Sequence, residues 1–258
     1  MTVGVAAADR MVTWGLTEFE HEEPKLNSVT DRAVILASGD ALRAAKVIRG
    51  VKAELPAGVS VEKLSELTTE QYCKQRDQQV ELEQFRSRGL TREKFYRGES
   101  QPLQAQHFFG IDQFVLTYNW NVELLVVGLD EDGSHLFSVG HPAGTMHDWS
   151  PIGFHAIGTG GVQAIQSMIG FSHSSRRTLA ETVFAVYASK KRAEAAPGVG
   201  KDTDLAIISQ NGVRRLTQIE LAELEKAFQN YVKPVSKETL DQVSDLLEKR
   251  KNAPIERK

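Results

Sequence analysis

The sequence has a single cysteine, Cys73, in 258 residues, and no apolar run long enough to cross a membrane. One cysteine excludes an intrachain disulfide and favours a reducing compartment. The first 15 residues lack the basic segment and the long apolar segment of a secretory signal. We therefore expect a cytoplasmic protein that does not engage a membrane.

A large excess of one charge is also missing. The chain has 31 Lys and Arg against 34 Asp and Glu, a net charge of −3, so it offers no basic excess for binding nucleic acid. Hydrophobic residues make up 41% of the chain, which is ordinary for a globular protein. The chain is long enough to bury a core without help from metals or disulfides, and it has no internal repeat.

Short apolar stretches separated by turn residues predict several β-hairpins. Asn211-Gly212 between two β-rich stretches is the strongest of these signals. The predicted pairs are 2–8 with 11–16 across Asp9-Arg10, 25–28 with 33–37, two strands around the turn 130–133, and two strands around Asn211-Gly212. A further strand is predicted in the segment FHAIG, which runs into a glycine turn at 158–161.

Most of the remaining chain has the periodicity of helices. A helix after the possible cap Asp40 carries Ala41, Ala45, Ile48 and Val51 on one face. Residues 59–100 are polar and predict peripheral helices that are broken at glycines. Further helices are predicted at 162–170, at 178–195, and as an amphipathic pair within 218–250 separated at Pro234.

The strands and helices arrive in separate blocks, which is typical of an α+β fold with antiparallel sheets and outer helices. We expect one domain over residues 1–217, with a helical insertion at about 59–108. Residues 218–258 are predicted to form a helical extension packed on the same domain.

Five segments of the chain occur in the order and spacing found in a known family. They are TVGVAAADRMV, PKLNSVTDRAVILASGDALRAAKVI, LLVVGLDEDGSHLFSVGHPAG, FHAIGTGG and TLAETVFAVYAS. Over residues 2 to about 210 the sequence resembles proteasome-type subunits, including the bacterial proteasome-like peptidases. The resemblance implies the N-terminal nucleophile (Ntn) hydrolase fold, a four-layer αββα sandwich of two antiparallel sheets, here with additional peripheral helices. It also implies a homo-oligomer that forms a ring or stacked rings, with a peptide or protein substrate.

The resemblance also implies a catalytic set without metal or cofactor. Active members use an N-terminal threonine as nucleophile, its own amine as base, a lysine that favours the alkoxide, and a glycine N–H that holds the oxyanion. Leu16 stands where an acid is expected on the second strand, and Glu18 is the nearest acidic residue. The residues implied are Thr2 after removal of Met1, Lys25, Gly39, Thr159 in place of a supporting serine, and Glu18.

Departures from the family pattern favour an alternative, a catalytically inactive subunit of the same fold that acts as a ring-forming scaffold. Ala196 and Val199 stand where an Asp and a Ser are expected, and Asp202 and Asp204 are the nearest substitutes. Thr2 also lies about two residues closer to the first turn than the family's nucleophile, which is about 6.6 Å of strand.

Several of these residues also have a simpler structural interpretation. Without the resemblance, the favoured interpretation of Lys25 is a partly buried lysine paired with Glu18 or Glu23. The run from Thr159 to Gly161 before a helix is a weak anion-binding pattern. Four histidines at 141, 147, 155 and 173 lie near Asp148 in sequence, but they lack the spacing of a metal motif, so we expect no metal site.

Overall fold

The structure is a computed structural model. It describes residues 3–14, 17–22, 24–99 and 105–232, together with 237, 238, 240–242 and 244. Its described part is a mixed α+β fold with antiparallel sheets, which confirms the predicted class. The contacts between Cα atoms divide the chain into two units, Met1–Thr217 and Gln218–Lys258. Among the described residues, no helix is both long enough and apolar enough to span a membrane.

A five-stranded antiparallel sheet forms the centre of the first unit. Its strands follow one another in chain order: β4 Leu26–Thr30, β5 Ala33–Gly39, β6 Val122–Leu129, β7 Ser134–Gly140 and β8 Thr145–Asp148. The predicted hairpins β4–β5 and β6–β7 are confirmed. Strand β6 is buried at seven of its eight positions because both faces of the sheet are covered.

A second, three-stranded sheet has the order β1 Gly4–Asp9, β9 Thr203–Ser209 and β10 Gly212–Arg215. The β9–β10 hairpin at Asn211-Gly212 is confirmed. Strand β1 runs antiparallel to β9, so the start of the unit pairs with its end.

The predicted hairpin between residues 2–8 and 11–16 is wrong. The strands β2 Met11–Trp14 and β3 Thr17–Glu20 pair with each other, while β1 pairs with β9. The carboxylate of Asp9 accepts a hydrogen bond from Met11 N at 2.7 Å, so the chain turns locally there without folding β2 back onto β1. The small side chains of β1 pack instead against the apolar strand β9.

Two helices cover the outer face of the five-stranded sheet, namely α1 Ala41–Glu54 and α2 Val61–Val80. The carboxylate of Asp40 accepts hydrogen bonds from Leu42 N and Arg43 N, which confirms the predicted cap of α1. Val47, Ile48 and Val51 of α1 enter the same apolar cluster as Leu64 and Tyr72 of α2. The buried face of α1 begins at Ala44, and Ala41 is exposed.

Helix α2 buries a broader face than the single stripe expected of a peripheral helix, and Leu64 and Tyr72 of that face lie in the main core cluster. Its polar composition is compatible with burial because Ser65 and Thr68 donate hydrogen bonds to carbonyls of their own helix, at 2.9 and 2.7 Å. A π-helical turn and a short 3₁₀ helix follow, then α3 Arg92–Tyr96 and α4 Ala105–Thr117. These form a smaller apolar cluster around Phe85 and Phe95.

The inner face of the five-stranded sheet packs on the three-stranded sheet. Leu36, Leu125 and Val127 share one buried cluster with Ala206 and Ile208 of β9. The helices α5 Gly161–Gly170 and α6 Leu179–Ala193 pack together, and α6 contacts β1. A capping box between Thr178 and Glu181 begins α6.

The strand predicted in the segment FHAIG does not form. Trp149 N donates to Leu136 O at 2.8 Å, and Gly153 N donates to Trp149 O at 2.9 Å, so the chain bends after β8. His155 then stacks on Trp149 at 3.9 Å between ring centroids. These contacts leave the segment without a strand partner.

The second unit contains helix α7, Gln218–Tyr231, whose Leu221 and Phe228 are buried. This is the first of the two predicted amphipathic helices. Most of the second one lies outside the described residues, as does Pro234.

Candidate functional site

Four of the five predicted site residues line one cleft of about 1980 Å³ in the first unit: Glu18, Lys25, Gly39 and Thr159. The cleft also reaches along β1, the start of α1 and the loop before α5. Thr2 lies outside the described residues.

Lys25 directly precedes β4, and its partner is Asp9 at the end of β1. The Lys25 Nζ to Asp9 Oδ1 distance is 2.6 Å, and the two side chains are 26% and 17% exposed. The same Asp9 oxygen accepts from Met11 N, so the carboxylate is held from two sides. The ammonium is therefore fixed at the junction of the two sheets.

Sequence reasoning missed Asp9, because the pair Asp9-Arg10 reads as an ordinary turn. Glu18 and Glu23 were the expected partners of Lys25. Glu18 lies opposite Thr13 in the β2–β3 pair and is exposed, while Glu23 lies outside the described residues. The sequence signal that could have identified Asp9 is an acidic residue at the end of an apolar strand, where its side chain can contact a neighbouring element.

Gly39 ends β5 with a φ of +84°. A Cβ at this position would lie 2.2 Å from the carbonyl oxygen of Asn121, so only glycine fits. Asp40 N donates to the same oxygen at 2.7 Å, which joins the end of β5 to the start of β6. The backbone at Gly39 is thus held in one conformation at the wall of the cleft.

Glu123 brings the loop of Thr159 to the end of β5. Its Oε2 accepts hydrogen bonds from Ser38 Oγ at 3.3 Å and from Gly158 N at 2.9 Å. Ser38 directly precedes Gly39, and Gly158 directly precedes Thr159. The Glu123 carboxylate therefore binds the chain next to both predicted site residues, Gly39 and Thr159. Nothing in the sequence pattern singles out Glu123 for this role.

The loop after α6 contains the positions where the family pattern expects an Asp and a Ser. Ala196 is buried, and Val199 presents an apolar side chain to the cleft. Asp204 is held by Arg10 through two contacts, Nη2 to Oδ1 at 2.6 Å and Nε to Oδ2 at 3.0 Å. Asp204 therefore has a structural partner already.

Two charged side chains fix this loop. Lys190 is 7% exposed, and its Nζ donates to Gly200 O and Lys201 O, each at 2.9 Å, and to Glu194 at 2.7 Å. Burial lowers the pKa of Lys190, and Glu194 opposes that change. From the other side, Glu20 accepts from Asp202 N and Lys201 N, and these hydrogen bonds lower the pKa of Glu20.

The position of Thr2 remains a prediction. Strand β1 has Gly4 at one end and Asp9 at the other, about 16 Å apart at a rise of roughly 3.3 Å per residue. The end of β1 that is nearer to Thr2 in sequence is therefore the end farther from Lys25. Two residues of extended chain add at most about 7 Å of reach from Gly4.

No cluster of three or more His, Cys, Asp or Glu side chains suited to a metal ion occurs within the described ranges. Burial lowers the pKa of His155 and of His173, which favours their neutral forms. Burial also raises the pKa of the Cys73 thiol, so this side chain is poorly suited to act as a nucleophile.

No model of a known protein family matches the sequence, and a search of curated proteins returns no match.

Proposed function

We propose that this protein is a proteasome-like, self-assembling amide hydrolase of the Ntn type. The observation that carries the proposal is the Lys25–Asp9 pair, at 2.6 Å, in one cleft with Gly39 and Thr159. Asp9 then holds the lysine, a role for which the sequence had suggested Glu18. The single cysteine supports a reducing compartment, and we propose the cytoplasm.

The layers of the first unit support the proposed four-layer αββα sandwich. Helices α1 and α2 cover one sheet, the two sheets share a buried cluster, and α6 contacts the other sheet at β1. Assembly into a ring or stacked rings of identical subunits is part of the same proposal.

The proposed reaction begins at Thr2 once Met1 is removed. Its Oγ1 attacks the amide carbonyl carbon while its α-amine takes the hydroxyl proton. The Lys25 ammonium favours the developing alkoxide, and the N–H of Gly39 stabilises the oxyanion. The C–N bond breaks, and the leaving amine takes the proton from the α-amine. Water then hydrolyses the Thr2 ester and restores the free threonine.

The direction of β1 favours a second candidate, an inactive scaffold subunit with the same fold. The strand places Gly4 about 16 Å from Asp9. Thr2 reaches Lys25 only if the chain before Gly4 turns back along the cleft. Val199 adds to this view, because it offers no hydroxyl where the family pattern expects one.

Intact mass after treatment with a threonine-directed β-lactone separates the two candidates. Hydrolase chemistry predicts loss of Met1 and one adduct on Thr2, which disappears in Thr2→Ala. Lys25→Met is expected to slow adduct formation by about 10²-fold or more, since the attacking oxygen loses its charge partner. Lys52→Met is the matched control, because Lys52 lines the same cleft but lies on the exposed surface of α1.

A free Thr2 that never reacts would favour the scaffold. An adduct that persists in Thr2→Ala would refute Thr2 as the nucleophile. Equal loss of reactivity in Lys25→Met and Lys52→Met would refute the role of the Lys25–Asp9 pair.

A further inference from the structure

Helix α4 is apolar on two opposite sides. Its buried residues Ile111 and Val115 pack in the smaller apolar cluster of the helical insertion. Phe109 and Leu116 lie on the other side of the helix, at about 100° of rotation per residue, and are 67% and 63% exposed. A helix that is apolar all round is normally buried all round. In the described part of the chain, the outer side of α4 therefore lacks a contact that its composition favours.

Tyr96 of α3 extends this outer side. Its hydroxyl donates to Asp112 Oδ1 at 2.7 Å, and Asp112 lies within about 60° of Phe109 around the helix axis. The Tyr96 ring also meets Phe108 edge-on, with 6.4 Å between centroids, and Tyr96 is exposed. Tyr96, Phe109 and Leu116 thus belong to one surface, which we call the insertion face.

The chain around Tyr96 is strongly basic. Residues 86–97 hold five basic side chains and one acidic side chain, a local charge of +4 in a protein of net charge −3. The remaining residues therefore sum to −7, so the positive charge of this stretch stands out from the rest of the chain. The charged side chains of the stretch are Arg86, Arg88, Arg92, Glu93, Lys94 and Arg97.

Three exposed cations of this stretch form no ion pair with any residue that the structure describes, namely Arg86, Arg88 and Lys94. The acids beside them have other partners, since Arg92 holds Asp77 at 3.0 Å and Arg97 holds Glu93 at 2.5 Å. A carboxylate from outside the chain would therefore meet charges that no neighbour has neutralised.

These cations border the insertion face because the residues next to them in sequence pack beneath it. The rings of Phe85 and Phe95 lie 5.3 Å apart, and Phe95 stacks on Phe108 of α4 at 4.5 Å. Arg86 follows Phe85, and Lys94 precedes Phe95. Both cations therefore start from backbone that is anchored against α4.

Charge decides among the candidate occupants of this face. A second copy in a two-fold arrangement would set the free cations against their own copies, and opposed like charges disfavour an interface. A nucleic acid needs cations along its phosphates, and α4 carries no Lys or Arg. An acidic amphipathic helix meets both requirements, because its apolar side covers the apolar side of α4 while its carboxylates reach the cations.

We propose that the insertion face docks an acidic amphipathic helix of a partner protein. The partner helix lies along α4, which is about 20 Å long, and its apolar side chains cover Phe109 and Leu116. Its Glu and Asp side chains pair with Arg86, Arg88 and Lys94. Docking does not involve the cleft, so it can be tested whatever the fate of the proposed reaction.

The first experiment measures the binding of two fluorescent, end-capped peptides to the full chain, each of about 18 residues so that an isolated helix can form. The acidic probe has leucine at every third or fourth position and glutamate on its other side. The matched basic probe has lysine in place of each glutamate. We expect the acidic probe to bind at least about tenfold more tightly at low salt, and the difference to shrink as salt screens the charges.

A pair of single variants tests the apolar contact. Phe109→Ser is expected to weaken binding of the acidic probe at least about tenfold, because it removes the largest exposed apolar side chain of α4. Val162→Ser is the matched control, since Val162 is exposed to a similar extent, 64%, on helix α5. Both side chains are exposed, so the melting temperatures are expected to stay close to that of the parent protein. Normal binding to Phe109→Ser would place the probe elsewhere and refute the proposed site.

Two triple variants test the ionic contact. The first replaces the free cations of the insertion face by glutamate, in Arg86→Glu, Arg88→Glu and Lys94→Glu combined. We expect it to bind the acidic probe at least about tenfold more weakly and the basic probe more tightly. The control has the same net charge and replaces three exposed cations of α1 by glutamate, at Lys46, Arg49 and Lys52. Equal losses in the two variants would show that net charge alone attracts the probe, and the proposal would fail.

Three further outcomes would overturn the proposal. The first is the absence of saturable binding by the acidic probe, or equal affinity for the two probes. The second is self-association of the free protein that Phe109→Ser abolishes in sedimentation velocity, since a second copy would then occupy the face. The third is displacement of the acidic probe by a lower concentration of single-stranded DNA, which would identify a nucleic acid as the ligand.

Discussion

The backbone at Gly39 allows a quantitative test of how the site is built. Replacing Gly39 by alanine places a methyl group 2.2 Å from the carbonyl oxygen of Asn121 and 2.9 Å from its carbon. Both are backbone atoms, so they cannot move aside like the end of a flexible side chain. The same carbonyl accepts the hydrogen bond of Asp40 N at 2.7 Å.

Three effects add to the cost of Gly39→Ala. A positive φ costs an alanine about 1 kcal/mol, and overpacking of this kind costs about 1–3 kcal/mol. Displacing the carbonyl of Asn121 weakens the Asp40 bond, for about 1 kcal/mol more. We therefore expect the free energy of unfolding to fall by about 3–5 kcal/mol, together with loosening of the start of α1.

Gly89→Ala is the matched control. Gly89 also has a positive φ, +69°, but no atom lies within 4 Å of a Cβ built there. Its cost should be the conformational part alone, about 1 kcal/mol. Urea unfolding followed by circular dichroism measures both variants. Similar losses in the two would refute the claim that the carbonyl of Asn121 fixes the backbone of Gly39.

Two further predictions concern titratable groups, the buried Lys190 and the half-buried His155. Lys190→Met removes the donor to the carbonyls of Gly200 and Lys201. We expect the free energy of unfolding to fall by about 2 kcal/mol and proteolysis of the loop after α6 to become faster. Unchanged stability and unchanged cleavage would contradict this prediction. His155 has a lowered pKa when folded, so the unfolded chain binds its proton more readily and stability falls as the pH drops below about 6.5. His155→Phe keeps the stacking on Trp149 and should reduce the difference in melting temperature between pH 7.5 and 5.5; an unchanged difference would show that other groups account for it.

The sequence by itself determined those elements whose signals are local. The turn at Asn211-Gly212, the Asp40 cap and the hairpin β4–β5 all follow from residues that are neighbours along the chain. Polar composition was misleading for α2, because Ser65 and Thr68 satisfy their hydroxyls within the helix and let it be buried. Composition gives the number of polar side chains in a segment, but it does not show where their hydrogen-bond partners lie.

Only the tertiary structure decided the pairings between distant segments. β1 joins β9 across almost the whole first unit, Asp9 meets Lys25, and Glu123 links the loop of Thr159 to the end of β5. Local periodicity fixes which residues share a face, but a strand edge or a carboxylate accepts any suitable partner that packing brings within about 3 Å. The set of residues that lines the cleft depends on those long-range contacts.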